Sequence, residues 1–124
     1  MRYLCLVYSD GKYLESMPQD VMDELVAEHL ALGEELEQSG RSLGSDALQP
    51  VQTATTVRVR NGKVSITDGP FAETKEQLGG YYLIEARDLN EAVQIAARIP
   101  SARFGSIEVR PIWEVRQREK RAGR

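Results

Sequence analysis

His29 is the only histidine in the chain and the one side chain whose ordinary pKa lies near neutrality. It is therefore the natural general acid or base. Its position in the apolar stripe of a helix also suits a structural histidine bonded to a backbone carbonyl. Asp68 is the leading acidic candidate. Asp68-Gly69-Pro70 has turn chemistry, because Asp bonds its own backbone, Gly accepts positive φ and Pro fixes φ near −65°, and the turn presents the carboxylate at a strand end. Asp46, just after Gly44, is the other candidate partner for His29; either aspartate also reads as a plain turn residue. Glu73 and Lys75 follow Asp68 closely, and would bind an anionic substrate or pair with each other to hold the connection in shape. Tyr81 and Tyr82 alternate faces of a strand, so at most one reaches a given cavity, where its hydroxyl could polarise a phenolic or carbonyl oxygen; packing is the other use.

Those residues need elements to hold them. Residues 2–8 set Tyr3, Cys5 and Val7 on one strand face and Leu4, Leu6 and Tyr8 on the other, so both faces want cover, as in a central strand. Ser9-Asp10-Gly11 ends that strand. Pro18 opens a helix over 18–38, in which Met22, Leu25, His29, Leu32 and Leu36 recur at spacings of three and four, and Gly40 closes it. Residues 41–49 form a weaker, bent strand. Asn61-Gly62 suits a type I′ hairpin turn, pairing Val59 with Val64 and Val57 with Ile66 on one face and leaving the other wet. After the polar crossing from Asp68, with Phe71 anchoring its turn to the core, Gly79-Gly80 permits a bulge or a close approach before a strand over 81–86. Asp88 and Glu91 make a capping box for a helix that Pro100 stops. Ile107, Val109, Pro111 and Trp113 share a face of a last strand, with Pro111 marking an edge or an end.

The resulting fold class is α+β: a ferredoxin-like βαββαβ arrangement with an inserted β-hairpin. Two helices cover one sheet face, while the strand over 2–8 is apolar on both. The uncovered face therefore calls for a second copy packed sheet to sheet, a homodimer of the dimeric α/β barrel kind.

Composition narrows the rest. A chain of 124 residues with 41% hydrophobic and 28% charged residues is one domain, taken as 1–113 with a basic tail over 114–124. The net charge of −3 argues against a nucleic-acid partner. No stretch approaches membrane-spanning length, and no signal peptide opens the chain. The single cysteine, Cys5, rules out an intramolecular disulfide and fits a buried thiol in a cytoplasmic protein. With one His and one Cys, no structural zinc site forms within a chain. Neither a dinucleotide fingerprint nor a P-loop nor a nucleophile elbow is present, and no cofactor is expected.

The segment Thr67-Asp68-Gly69-Pro70-Phe71-Ala72-Glu73-Thr74-Lys75-Glu76, continuing into Leu78-Gly79-Gly80-Tyr81-Tyr82, resembles the signature of the DGPF subgroup of the YCII-related family. The likeness runs from Met1-Arg2-Tyr3-Leu4-Cys5-Leu6-Val7-Tyr8 to Gly105-Ser106-Ile107-Glu108-Val109-Arg110-Pro111. It also implies the dimeric barrel. Glu28-His29-Leu30 is similar to the place where YCII proteins carry the histidine of a proposed His-Asp pair. Three functions follow as expectations. The first is an enzyme without a cofactor, of lyase or isomerase type, in which His29 and an aspartate move protons on a small molecule. The second is a ligand-binding or regulatory accessory module, since the DGPF group is often found near sigma-factor genes. The third is a purely structural dimer.

Overall fold

The computed structural model describes residues 1–115; the basic residues Arg116, Arg118, Lys120, Arg121 and Arg124 of the expected tail lie outside them. Strand β1 (Arg2–Asp10) alternates half-buried and buried positions along its whole length. Its Tyr3, Cys5, Val7 side forms the core with Leu32, Leu36, Tyr82, Ile84, Ala92, Ile95 and Ile99. Cys5, Leu36, Ile84 and Ile99 are fully buried. Each such aliphatic side chain contributes about 1.5–3 kcal/mol by leaving water. Burial also pushes the Cys5 thiol up to about 11, so at neutral pH it is a packed, protonated group.

A short helix, α1 (Gly11–Glu15), follows β1, where the sequence suggested a turn; Asp10 caps it by accepting from the Lys12 amide. Helix α2 (Gln19–Gln38) begins after Pro18 and buries Leu25, Leu32 and Leu36, the expected stripe. Gly40, at φ 74°, turns the chain out of it, and the Arg41 amide bonds the Leu36 carbonyl at 2.8 Å.

The remaining strands are β2 (Ser42–Ala47), β3 (Thr55–Arg60), β4 (Lys63–Asp68), β5 (Glu76–Glu85) and β6 (Ser106–Pro111), with α3 (Leu89–Ala97) between the last two. The four-stranded sheet has the order β2-β5-β1-β6, and each of its pairings is antiparallel. This is the ferredoxin-like α+β arrangement, with β3-β4 inserted as a separate hairpin. Asn61 and Gly62 both have positive φ, as a type I′ turn requires, and Val57 opposes Ile66 and Val59 opposes Val64. All four apolar hairpin side chains are exposed.

Strand β5 starts five residues before the expected Tyr81, inside the charged segment, because its first residues pair with the end of β1. A register shift falls between Val7 and Tyr8, opposite Gly80 and Leu78, so Gly79 sits at a bulge. At Gly80 a Cβ would stand 2.9 Å from the Asp46 carbonyl oxygen, which is why glycine occupies the contact with β2.

Asp88 caps α3 as expected, accepting from the Glu91 amide at 2.9 Å, but the reciprocal half of the box differs: Glu91 accepts from the Arg87 amide, one residue before the cap, at 3.1 Å. Pro100 then opens a single turn of 3-10 helix, Pro100–Arg103, not foreseen from sequence. Strand β6 lies at the sheet edge and ends at Pro111; Trp113 falls beyond it. Glu114, assigned from sequence to the tail, is tied back by a two-pronged pairing with Arg2 at 2.9 Å for each contact. Among the described residues no helix is long and apolar enough to cross a membrane.

Candidate functional site

Adjacent tyrosines on β5 divide the chemistry between the two faces of the sheet. Tyr82 points into the helix side, where its hydroxyl meets His29 Nδ1 at 2.7 Å. The other ring nitrogen, Nε2, meets Ser101 Oγ at 2.8 Å. One imidazole nitrogen donates and the other accepts, so the neutral ring satisfies both hydroxyls at once. The His29 and Tyr82 rings also stack, with centroids 6.0 Å apart. Burial holds the imidazole below its ordinary 6.5; the Glu28 carboxylate opposes that shift and Arg103 reinforces it. Burial likewise pushes Tyr82 up to about 12. Ser101 is only 6% exposed. The result is a closed clamp joining α2, β5 and the turn after α3.

Tyr81 points to the opposite face and donates to Asp46 Oδ2 at 2.6 Å. That hydrogen bond, and next the charge of the carboxylate, raise its pKa above 10.0. Asp46 opposes Tyr81 in the β2-β5 register, whereas Ser45 opposes Tyr82. The sheet therefore separates Asp46 from His29. Asp68 ends β4 on the inserted hairpin, opposite Thr55. With both ring nitrogens of His29 engaged by hydroxyls, the expected His-Asp pair is not assembled within this chain. Sequence reasoning missed Ser101, 72 residues from its partner, since nothing local marks such a contact.

The charged crossing is built by its polar backbone partners. The Gly69 amide donates to the Ala54 carbonyl and Thr56 Oγ1 to the Gly69 carbonyl, both at 2.8 Å, while Gly69 takes φ 105°. Farther on, Thr74 Oγ1 donates to the Glu76 carbonyl at 2.6 Å. Ser106 Oγ donates to Glu76 Oε1 at 2.7 Å, fixing the start of β5 to β6. The side chains of Asp68, Glu73 and Lys75 are exposed. Glu73 and Lys75 do not pair with each other; the ion pairs among the described residues lie elsewhere.

Phe71, expected to anchor the turn in the core, is instead 77% exposed, with the Arg58 guanidinium 5.4 Å from its ring centroid. Its place is explained by the cavity beside it. The crossing, the β2-β3 connection and the ends of β1 and β5 enclose a cleft of about 500 Å³, its walls including Tyr8, Leu48, Val51, Pro70, Phe71 and Leu78. That volume lies in the range of small-molecule sites, which are mostly apolar with a few polar groups. Gln77 borders the cleft, but in the β1-β5 register it lies opposite Ser9 of the core face. Its Nε2 donates to the Thr74 carbonyl at 3.0 Å, which fixes the orientation of the amide. Its Oε1 is enclosed by the protein, with no hydrogen bond from the described residues. The sequence marked the loop that bounds the cleft but gave no sign that the β2-β3 connection forms its other wall.

Among the described residues no group of His, Cys, Asp and Glu could hold a metal ion. The family model for the YCII-related domain matches residues 1–116. The chain is also 34% identical over 114 residues to a protein of Rhizobium meliloti (strain 1021) described as uncharacterized, an alignment covering 90% of this chain and 92% of that one.

Proposed function

This chain belongs to the YCII-related family, and on that premise we propose that it is a small-molecule-binding module whose ligand enters the cleft at the DGPF crossing. The observation that carries this reading is the cleft itself, about 500 Å³ and bounded by the Pro70-Phe71-Ala72 part of the motif. Loops held on a rigid scaffold are where binding sites are built. Asp68, Glu73 and Lys75 lie in or beside that crossing, where their exposed charges would meet a ligand on approach. Tyr81 and Asp46 form the polar pair of the same sheet face. A sensing or regulatory role of this kind asks nothing of His29 beyond its part in the fold.

The alternative, proton transfer by His29, draws support from the Ser101-His29-Tyr82 chain, in which an imidazole is bonded at both nitrogens to hydroxyls. Two features weigh against it. Ser101 is buried, and among the described residues the ring nitrogens meet hydroxyls, with Glu28 acting on the ring through its charge alone.

The proposal includes a homodimer, packed through the sheet face opposite the helices. Leu4, Leu6 and Leu83 are half-buried there, a two-sided apolar pattern that a second sheet would complete. A stable interface of that kind buries about 1,200–2,000 Å² in total. A cytoplasmic setting fits the single free thiol.

The deciding experiment is a screen of small aromatic fragments against the full chain by protein-observed NMR, with two variants. Ala54→Phe fills the cleft, and should abolish shifts at Leu48 and Leu78; His29→Ala should leave them. Loss of binding in His29→Ala, with binding kept in Ala54→Phe, sinks the proposal and favours the acid-base reading. In parallel, Leu6→Lys should convert the dimer to a monomer by sedimentation equilibrium.

A further inference from the structure

We infer that the β3-β4 hairpin is an arm that holds a second copy of this chain, its valine face packed on the same face of the partner's hairpin, with the tip of each over the base of the other. This rests on the homodimer proposed for the chain and adds to it a second contact and its register.

The hairpin is mounted with its apolar side outward. Its half-buried positions are Thr56 and Arg58, which face the chain's own crossing: Thr56 Oγ1 donates to the Gly69 carbonyl, and the Arg58 guanidinium lies over the Phe71 ring. Side chains alternate along a strand, so Val57 and Val59, with Ile66 and Val64 opposite them, look away from that crossing. All four are between 57% and 68% exposed. The two strands form a sheet of their own, and a two-stranded hairpin with nothing against its apolar face is marginal in water. An exposed apolar patch rimmed by polar residues marks a contact surface.

Charge decides what fits that surface. Asp68 shares the valine face at the base of the hairpin, where it pairs with Thr55, while Arg60 and Lys63 flank the turn at the tip. All three are exposed, and among the described residues none of them enters an ion pair. Two copies packed face to face about a two-fold axis lying across the strands set the base carboxylate of each beside the basic tip of the other. The long side chains of Arg60 and Lys63 reach round the edge to meet it. An axis along the strands would instead stack Asp68 on Asp68 and tip on tip, like charge on like. A membrane surface is a poorer cover, because Asp68 faces the same way as the valines and anionic lipid repels it. A stable interface buries about 1,200–2,000 Å² in total, and four aliphatic side chains from each copy supply on the order of half of that. The open sheet face with Leu4, Leu6 and Leu83 supplies the rest, so both contacts belong to one dimer.

Sedimentation equilibrium of the full chain tests the arm. Val59→Lys, at an exposed position outside the core, should keep the fold and weaken the dimer by about a hundredfold or more. Asp68→Lys, and separately the tip reversal Arg60→Glu with Lys63→Glu, should each weaken it about tenfold. All three charge changes together should recover most of that loss. Within one hairpin the base and tip lie about 17 Å apart, so recovery reports a contact between copies. Should Asp68→Lys not fold, Val59→Lys and the tip reversal carry the decision. A parent dimer left unchanged by Val59→Lys overturns the arm while the sheet-face dimer stands. Weakening by Val59→Lys with no recovery in the triple variant overturns the tip-to-base register. A monomeric parent overturns the arm and the homodimer together, and co-sedimentation of that monomer with phosphatidylcholine-phosphatidylglycerol vesicles would give the valine face to lipid instead.

Discussion

The two faces of the central sheet are finished in different ways. On the helix side, His29, Tyr82 and Ser101 close a chain in which each partner is satisfied within the protein. On the other side, Tyr8 and Leu78 pair across β1 and β5 at the wall of a cleft of about 500 Å³. A completed polar network fixes one packing and holds elements in register. A largely apolar concavity instead leaves contact area to a molecule from outside the fold. Chemical reactivity by residue type pointed to the first region, while shape points to the second.

Gly105 offers the strongest way to break both regions together. A Cβ there would lie 2.2 Å from the Tyr8 carbonyl oxygen and 3.2 Å from that of Ser101. Backbone has to move to admit it, displacing the end of β1 that lines the cleft and the turn that carries Ser101. Gly105→Ala should therefore cost about 3 kcal/mol or more by denaturant unfolding, and weaken fragment binding as well. A variant as stable as the parent would show that the two regions are held independently of this contact.

How far the sequence reached follows the same division. Period-two and period-3.6 patterns reported the layer on which many side chains sit, and the Asn61-Gly62 turn and the Asp88 cap followed from local chemistry. Local chemistry also misled. Polar residues from Glu76 to Gly80 read as loop because tertiary pairing with β1 outweighs their weak strand propensity. The alternation of Tyr81 and Tyr82 was legible, yet what Tyr82 would touch was not, since His29 lies 53 residues from it and 72 from its own second partner, Ser101. Phe71 was assigned to the core on hydrophobicity alone; a loop residue at the mouth of a cavity obeys no periodicity that would reveal it.

The clamp can be broken alone at His29. Removing the ring leaves the Tyr82 and Ser101 hydroxyls without their partner, so His29→Ala should lower stability by about 1–3 kcal/mol while fragment affinity in the cleft is retained. Stability should also depend on pH through this ring. Because the folded pKa lies below the ordinary 6.5, the unfolded chain takes up a proton first as pH falls. The clamp's contribution is complete above 6.5 and is lost as pH drops through the folded value. Unfolding curves across that window should show the loss in the parent and not in His29→Gln. An unchanged profile in His29→Gln would place the pH dependence elsewhere.

The smallest expected effect belongs to the exposed pair on the other face. Tyr81 donates to Asp46 at 2.6 Å; ionising the phenol would lose that hydrogen bond and set a second negative charge beside the carboxylate, and both raise its pKa. Asp46→Asn keeps an acceptor and removes the charge. Tyr81 should then titrate closer to 10.0, resolved by its ring signals in an NMR pH series, while Tyr82 stays near 12 because burial, not charge, sets its value. Global stability should not change measurably, since exposed charged pairs are screened by water. The His29 signals are the control across the sheet. If Asp46→Asn moves the His29 titration, the two faces are electrically coupled, and the separation between a structural imidazole and a binding face gives way to a single site shared through β5. If only Tyr81 responds, the sheet insulates one from the other, and the search for a ligand belongs at the cleft.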